Sequence, residues 1–189
     1  MSNLPYRTFN SDQLEKIGNT VIYLAEKIPF LSKTKLLKLL YILDEISIKK
    51  SGIPFLNLTY KVWKFGPVSE ELFIDLSSDS TLLSRYITRD FDGNHIKPIK
   101  AFEDEEFSDN DIILLDFVIE KFGQQSAKEL VSYTHRINAP WYQTAKENAV
   151  LELLENEQIN NTEYIVNMEQ IIAHDQRKLE IYRDYLECH

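Results

Sequence analysis

Apolar residues recur at intervals of three and four from Leu14 through Ile17, Val21, Leu24 and Ile28, a spacing that predicts a helix. Asn10 or Ser11 supplies its N-cap, and Pro29 ends it. A second helix is expected over SKTKLLKLLYILDEISIKKSG, opened by Ser32 and stopped by Gly52. Its polar stripe is narrow, formed by Lys35, Lys38, Glu45 and Lys49, while Leu36, Leu37, Leu39, Leu40, Leu43 and Ile46 take most of the remaining circumference. A helix apolar on so many sides is the expected centre of the fold, with the other helices packed around it.

The pattern then changes period. TYKVWKFG alternates and is rich in β-branched and aromatic residues, so it reads as a short extended segment. Gly66 and Pro67 are expected to launch another helix, with Glu70 and Glu71 at its positive end and Leu72, Phe73 and Leu76 facing inward. Asp92-Gly93 sits between two alternating runs and predicts a hairpin, with Pro98 marking an edge strand. Beyond the acidic linker FEDEEF, Ser108 with Asp111 and Ser126 with Glu129 form two capping boxes for consecutive helices, the first closed by Gly123. Pro140 and Trp141 begin a further short helical turn. Residues 150–162 are polar and weakly patterned. A last helix is expected over about 163–187, striped by Met168, Ile171, Ile172, Leu179, Tyr182 and Leu186.

These elements predict a mainly α protein: a compact helical domain around a buried central helix, with a short β-hairpin or small sheet and a C-terminal amphipathic helix. The expected division is a helical domain over 1–149 and an extension over 150–189. That extension either covers the core or offers contacts to a partner, and the pattern allows both.

With 189 residues and 43% hydrophobic content, the chain suffices for one well-filled core. The net charge of −9 disfavours a general nucleic-acid coat. It is unevenly spread: residues 1–100 carry 14 Lys/Arg against 11 Asp/Glu, and residues 101–189 carry 7 against 19. Lys33, Lys35, Lys38, Lys49 and Lys50 lie in a locally basic stretch, which is either a solvated face or a binding patch. The single cysteine, Cys188, allows no internal disulfide, and neither a secretory signal nor a membrane-spanning run is visible, so a soluble, cytoplasmic protein is expected.

Catalytic patterns do not emerge. The five glycines form no phosphate loop, and His95, His135, His174 and His189 show no zinc-binding spacing. Asp44-Glu45 and Glu70-Glu71 are adjacent pairs that point to different sides of a helix, which does not make an acid/base dyad. The expectation is a protein that is not an enzyme and carries no cofactor or metal.

Two aromatic elements stand out. In YKVWKFGPVSEEL, the residues Tyr60, Trp63, Lys64 and Phe65 are either core or a partner-binding surface, since Trp and Tyr dominate interface hot spots. In SAKELVSYTHRINAPW, His135, Arg136 and Trp141 pose the same choice between a satisfied structural corner and a surface pocket.

KTKLLKLLYILDE, SGIPF, YKVWKFGPVSEEL and LLDFVIEKFGQQSAKELVSYTHRINAPW, in this order and spacing, resemble the Panacea domain family of SocA-like antitoxins, also met in prophage-associated proteins. The resemblance spans about 14–149. Its matching residues are Leu36, Leu40 and Tyr41, then Trp63, Gly66, Pro67 and Val68, then Ser126, Leu130, Thr134, His135, Pro140 and Trp141. Phe65 stands where the family more often has Tyr. The resemblance implies a mostly helical antitoxin that neutralises a cognate toxin by direct binding and, in the SocA case, delivers it to an ATP-dependent protease. The alternative from the residues themselves is a nucleic-acid-binding regulator of a mobile element or prophage, using the lysines and the Asp92-Gly93 hairpin.

Overall fold

The computed structural model describes residues 9–77, 81–90 and 92–188; the start of the chain that was read for a signal and His189 lie outside them. Helix α1 spans Ser11–Lys27, with Asn10 accepting from the Gln13 amide as its N-cap. Helix α2 spans Lys33–Ser51 between Ser32, which accepts from the Lys35 amide, and Gly52, whose φ of 81° is the left-handed turn that favours glycine. Leu36, Leu39, Tyr41, Ile42 and Leu43 of α2 are fully buried, so this helix is the centre of the fold, as its all-round apolar pattern predicts.

Around α2 stand the capping-box helices α4 (Asp109–Phe122) and α5 (Ala127–Thr134), both boxes being complete. The acidic linker before α4 is pinned by its two aromatic ends: Phe102 packs edge-on against Tyr23 and tilts against Phe107. Strands β3 (Ile87–Arg89) and β4 (Ile96–Pro98) pair antiparallel around Gly93, which has a φ of 69°. This is the predicted hairpin, and it joins the segment just before α2 through the Leu31 carbonyl, which accepts from the Ile96 amide.

Two expectations are corrected. Gly66-Pro67-Val68 is not a helix start but strand β2 (Gly66–Val68), antiparallel to β1 (Lys61–Trp63), and helix α3 (Glu70–Asp75) begins after it. The final segment is not one helix. A short helix α7 (Leu151–Glu155) follows α6 (Pro140–Glu147), residues 160–166 run extended beside β1, a 3-10 turn covers Met168–Ile172, and α8 spans Gln176–Cys188. The break has local causes: Asn167 caps the 3-10 turn by accepting from the Glu169 amide, and Asp175 accepts from the Lys178 amide at the start of α8. Leu154, Val166, Met168, Ile172 and Tyr182 are buried in the same apolar cluster as α2.

Candidate partner-binding corner

The corner is built outward from α2. Asp44, 1% exposed, accepts from the amides of Leu56, Asn57 and Leu58 and from the Tyr60 hydroxyl at 2.8 Å. Burial pushes its carboxyl up from the ordinary value, while those donors oppose the shift. One buried carboxylate thus shapes the chain that delivers β1 and locks Tyr60, itself 2% exposed, into the core.

Six positions earlier on α2, Lys38 is 1% exposed and donates to the Pro67 carbonyl at 2.8 Å. Burial lowers its pKa to about 7. Gly66 beside it has a φ of 95°, and a Cβ there would lie 2.6 Å from Thr134 Oγ1 and 3.2 Å from Lys38 Nζ. Glycine is required at this position on both counts. The strand therefore runs against α2 and α5 with no room for a side chain.

Helix α5 ends at His135, whose ring stacks on Trp141 at 3.8 Å and 6°. Burial, and secondarily the Lys38 charge, lower the His135 pKa to about 4, so the ring is neutral at pH 7. Trp141, 1% exposed, donates through Nε1 to the Trp63 carbonyl at 3.0 Å and so fastens α6 to β1. Trp63 is half-buried, edge-on to Phe73 at 4.9 Å. Arg136 pairs with Glu45, which is 4% exposed, and lies over the Tyr133 ring. His135 Nε2, Trp63 Nε1 and Glu45 Oε2 are buried without a hydrogen-bond partner among the described residues.

The residues singled out from the sequence therefore separate. Tyr60 and Trp141 are core, and Trp63, His135 and Arg136 are half-buried around them. Phe65, at the turn between β1 and β2, is 61% exposed, and Lys64 beside it pairs with Glu157 at 2.9 Å. Ile137, three residues past Thr134, is 72% exposed and was not anticipated. The lysines do not form one patch. Lys38 is internal, Lys33 donates to Ser77 and Lys35 to the Gly123 carbonyl, while Lys49 and Lys50 stand exposed at the other end of α2, about 25 Å away by helix rise.

A family model described as "Antitoxin SocA-like, Panacea domain" matches residues 36–142, more than half of the chain. The chain belongs to the SocA-like Panacea domain family. A curated relative, Antitoxin SocA of Caulobacter vibrioides (strain NA1000 / CB15N), is 28% identical over 114 residues, covering 59% of this chain and 58% of that antitoxin. The match thus spans less than two thirds of the relative's length. No solved structure matches. The Panacea match runs from α2 to the start of α6, so it takes in Lys38, the β1–β2 hairpin, His135 and Trp141, and leaves out residues 160–166 and α8. Among the described residues no helix is long and apolar enough to cross a membrane, and no group of three His, Cys, Asp or Glu side chains is placed to hold a metal ion.

Proposed function

We propose that this chain is an antitoxin that neutralises a cognate toxin by direct, non-enzymatic binding. The observation that carries this reading is the family match over the whole corner, together with the antitoxin relative. The corner's own chemistry agrees with a binding role. Lys38, Asp44 and Glu45 are buried and engaged, with the half-buried Arg136, in holding strands and helices together, while Phe65 and Ile137 are left at its rim for contact. The nucleic-acid alternative has less support, because the lysines it relies on are divided between the interior and two distant ends of α2.

The test is co-expression with the protein encoded by the adjacent gene. If that protein alone arrests growth, and this chain restores growth and co-purifies with it, the reading stands. A harmless neighbour that does not co-purify contradicts it. Handover to an ATP-dependent protease is a finer reading of the same family. It predicts that the toxin's half-life in cells shortens when this chain is present, and an unchanged half-life leaves occlusion as the mechanism.

A further inference from the structure

The β1–β2 hairpin has two outer edges, and they are closed differently. On β2 the edge position is Pro67, which has no amide to offer, and its carbonyl is taken by the buried Lys38. No further strand can add there. On β1 the outward groups are the amides of Val62 and Lys64 and the carbonyls of Tyr60 and Val62, and all four are occupied by the chain's own residues 160–166. Val62 donates to the Tyr164 carbonyl at 2.9 Å and Lys64 to the Asn160 carbonyl at 2.8 Å, while Val166 donates to Tyr60 at 2.7 Å. The Val62 carbonyl is met by a side chain, the Thr162 hydroxyl at 2.8 Å, and one antiparallel bridge, Lys61 to Ile165, is formed.

Apart from Val166, whose buried side chain anchors its end, this strap is held by its backbone and its charges. Between the buried anchors Leu154 and Val166, only Ile159 and Thr162 are even partly buried, and Ile165 is 60% exposed. Two lysines of the edge take acidic partners from the tail: Lys61 pairs with Glu163 of the strap at 2.6 Å as well as with Glu70 of α3 at 2.5 Å, and Lys64 with Glu157, just ahead of the strap. Glu163 is 84% exposed and Glu157 71% exposed, so solvent competes for both pairs. An edge strand is a template for an incoming extended segment, and here its cover displays what the edge accepts.

We propose that the outer edge of β1 is the docking edge for an extended, acidic segment of the partner toxin, which displaces residues 160–166. The partner strand supplies carboxylates to Lys61 and Lys64 and its own backbone to Val62 and Lys64. The edge lies inside the part of the chain that the family model matches, and the strap lies outside it. The proposal rests on the antitoxin reading for the identity of the partner, but not for the chemistry of the edge.

The test locks the strap in the full-length chain. Lys61→Cys and Ile165→Cys, with Cys188→Ser, place two thiols at directly opposed positions of an antiparallel bridge, a separation that a disulfide spans. The loss of Lys61 is common to both redox states, so each comparison is oxidised against reduced, with Cys188→Ser alone as the redox control. Two probes are used. The first is the adjacent-gene protein, and the second is a fluorescent peptide of this chain's own residues 157–167. Both are expected to bind the reduced form at least about tenfold more tightly than the locked form. Equal binding of the two forms overturns the proposal, as does absence of peptide binding to the reduced form. If the peptide behaves as expected and the neighbour binds neither form nor the wild type, the edge is sustained while the antitoxin reading fails. A wild-type dimer that the locked form loses would put a second copy's strap on the edge, and that also overturns a toxin strand there.

Discussion

Strand β2 meets the rest of the fold through a proline, a glycine with no room for a side chain and a fully buried lysine, whereas β1, its partner across the hairpin, meets solvent through a polar length of the chain's own tail. Both edges satisfy their backbone groups. The first does so with an ammonium that has nowhere else to go, since burial leaves Lys38 no water to turn to. The second does so, the buried Val166 and half-buried Thr162 apart, with exposed groups that water can replace at little cost. A hairpin of three-residue strands is marginal on its own. The inner edge makes it a fixed part of the core, and that fixity lets the outer edge be exchangeable.

Gly66→Val strikes the inner edge hardest. It adds a branched side chain at a positive φ and drives it into Thr134 and Lys38, so a loss of about 3–5 kcal/mol is expected, seen as a collapsed or absent thermal transition by circular dichroism. Arg136→Met comes next. It leaves Glu45, 4% exposed, without its cation, at an expected cost of about 2 kcal/mol. The full buried-pair penalty does not apply because the Arg136 side chain is 38% exposed; a urea titration measures the loss.

Lys38 gives a test in pH. Its pKa falls from 10.5 to about 7 on folding, so between those values the unfolded chain holds a proton that the folded chain has released. Stability therefore rises with pH through that window, by up to about 1.4 kcal/mol per unit, and the burial penalty is present in full below pH 7. His135, lowered from 6.5 to about 4, adds a slope of the same sign between those two values. Lys38→Met is expected to flatten the rise between pH 7 and 9 in denaturant titrations, and an unchanged slope would show that the lysine does not titrate there. The smallest effects belong to the outer edge. Thr162→Val and Glu163→Gln each remove one partner of β1 and are expected to change stability by less than about 1 kcal/mol, measured by the same titration. A loss as large as that of Arg136→Met would mean that the strap is as much a part of the core as the inner edge.

Much of the architecture was legible because it is written in short-range chemistry. Ser32 and Gly52 bracket α2, the two capping boxes open α4 and α5, and Asp92-Gly93 turns the second hairpin, each determined by residues three or fewer apart. The corner was legible as a place and illegible as a geometry. Pro67 suits a helix start and an edge strand equally well, and the choice was made by Lys38 and Thr134, which lie 29 and 67 positions away. The polar stripe of α2 misled for the same reason. On a surface helix such a stripe faces water, but Lys38 and Glu45 face the seam with β2 and α5, where Pro67 and Arg136 answer them. The apolar residues of the tail keep a helical spacing, which by itself predicts one helix. Asn167 and Asp175, both good capping residues, were the signal that it breaks.

Native-state hydrogen exchange on the free protein compares the two edges most directly. The amides of Val62 and Lys64 are closed only by the strap and that of Val166, within the strap, only by the Tyr60 carbonyl, whereas those in the middle of α2 are closed by the core. The account predicts that the first three exchange through a local opening, at least about 100-fold faster than Leu40 and Ile42 and with little dependence on denaturant. If they instead exchange at the rate of the α2 amides, only on global unfolding, the strap is a permanent third strand and β1 has no exchangeable edge.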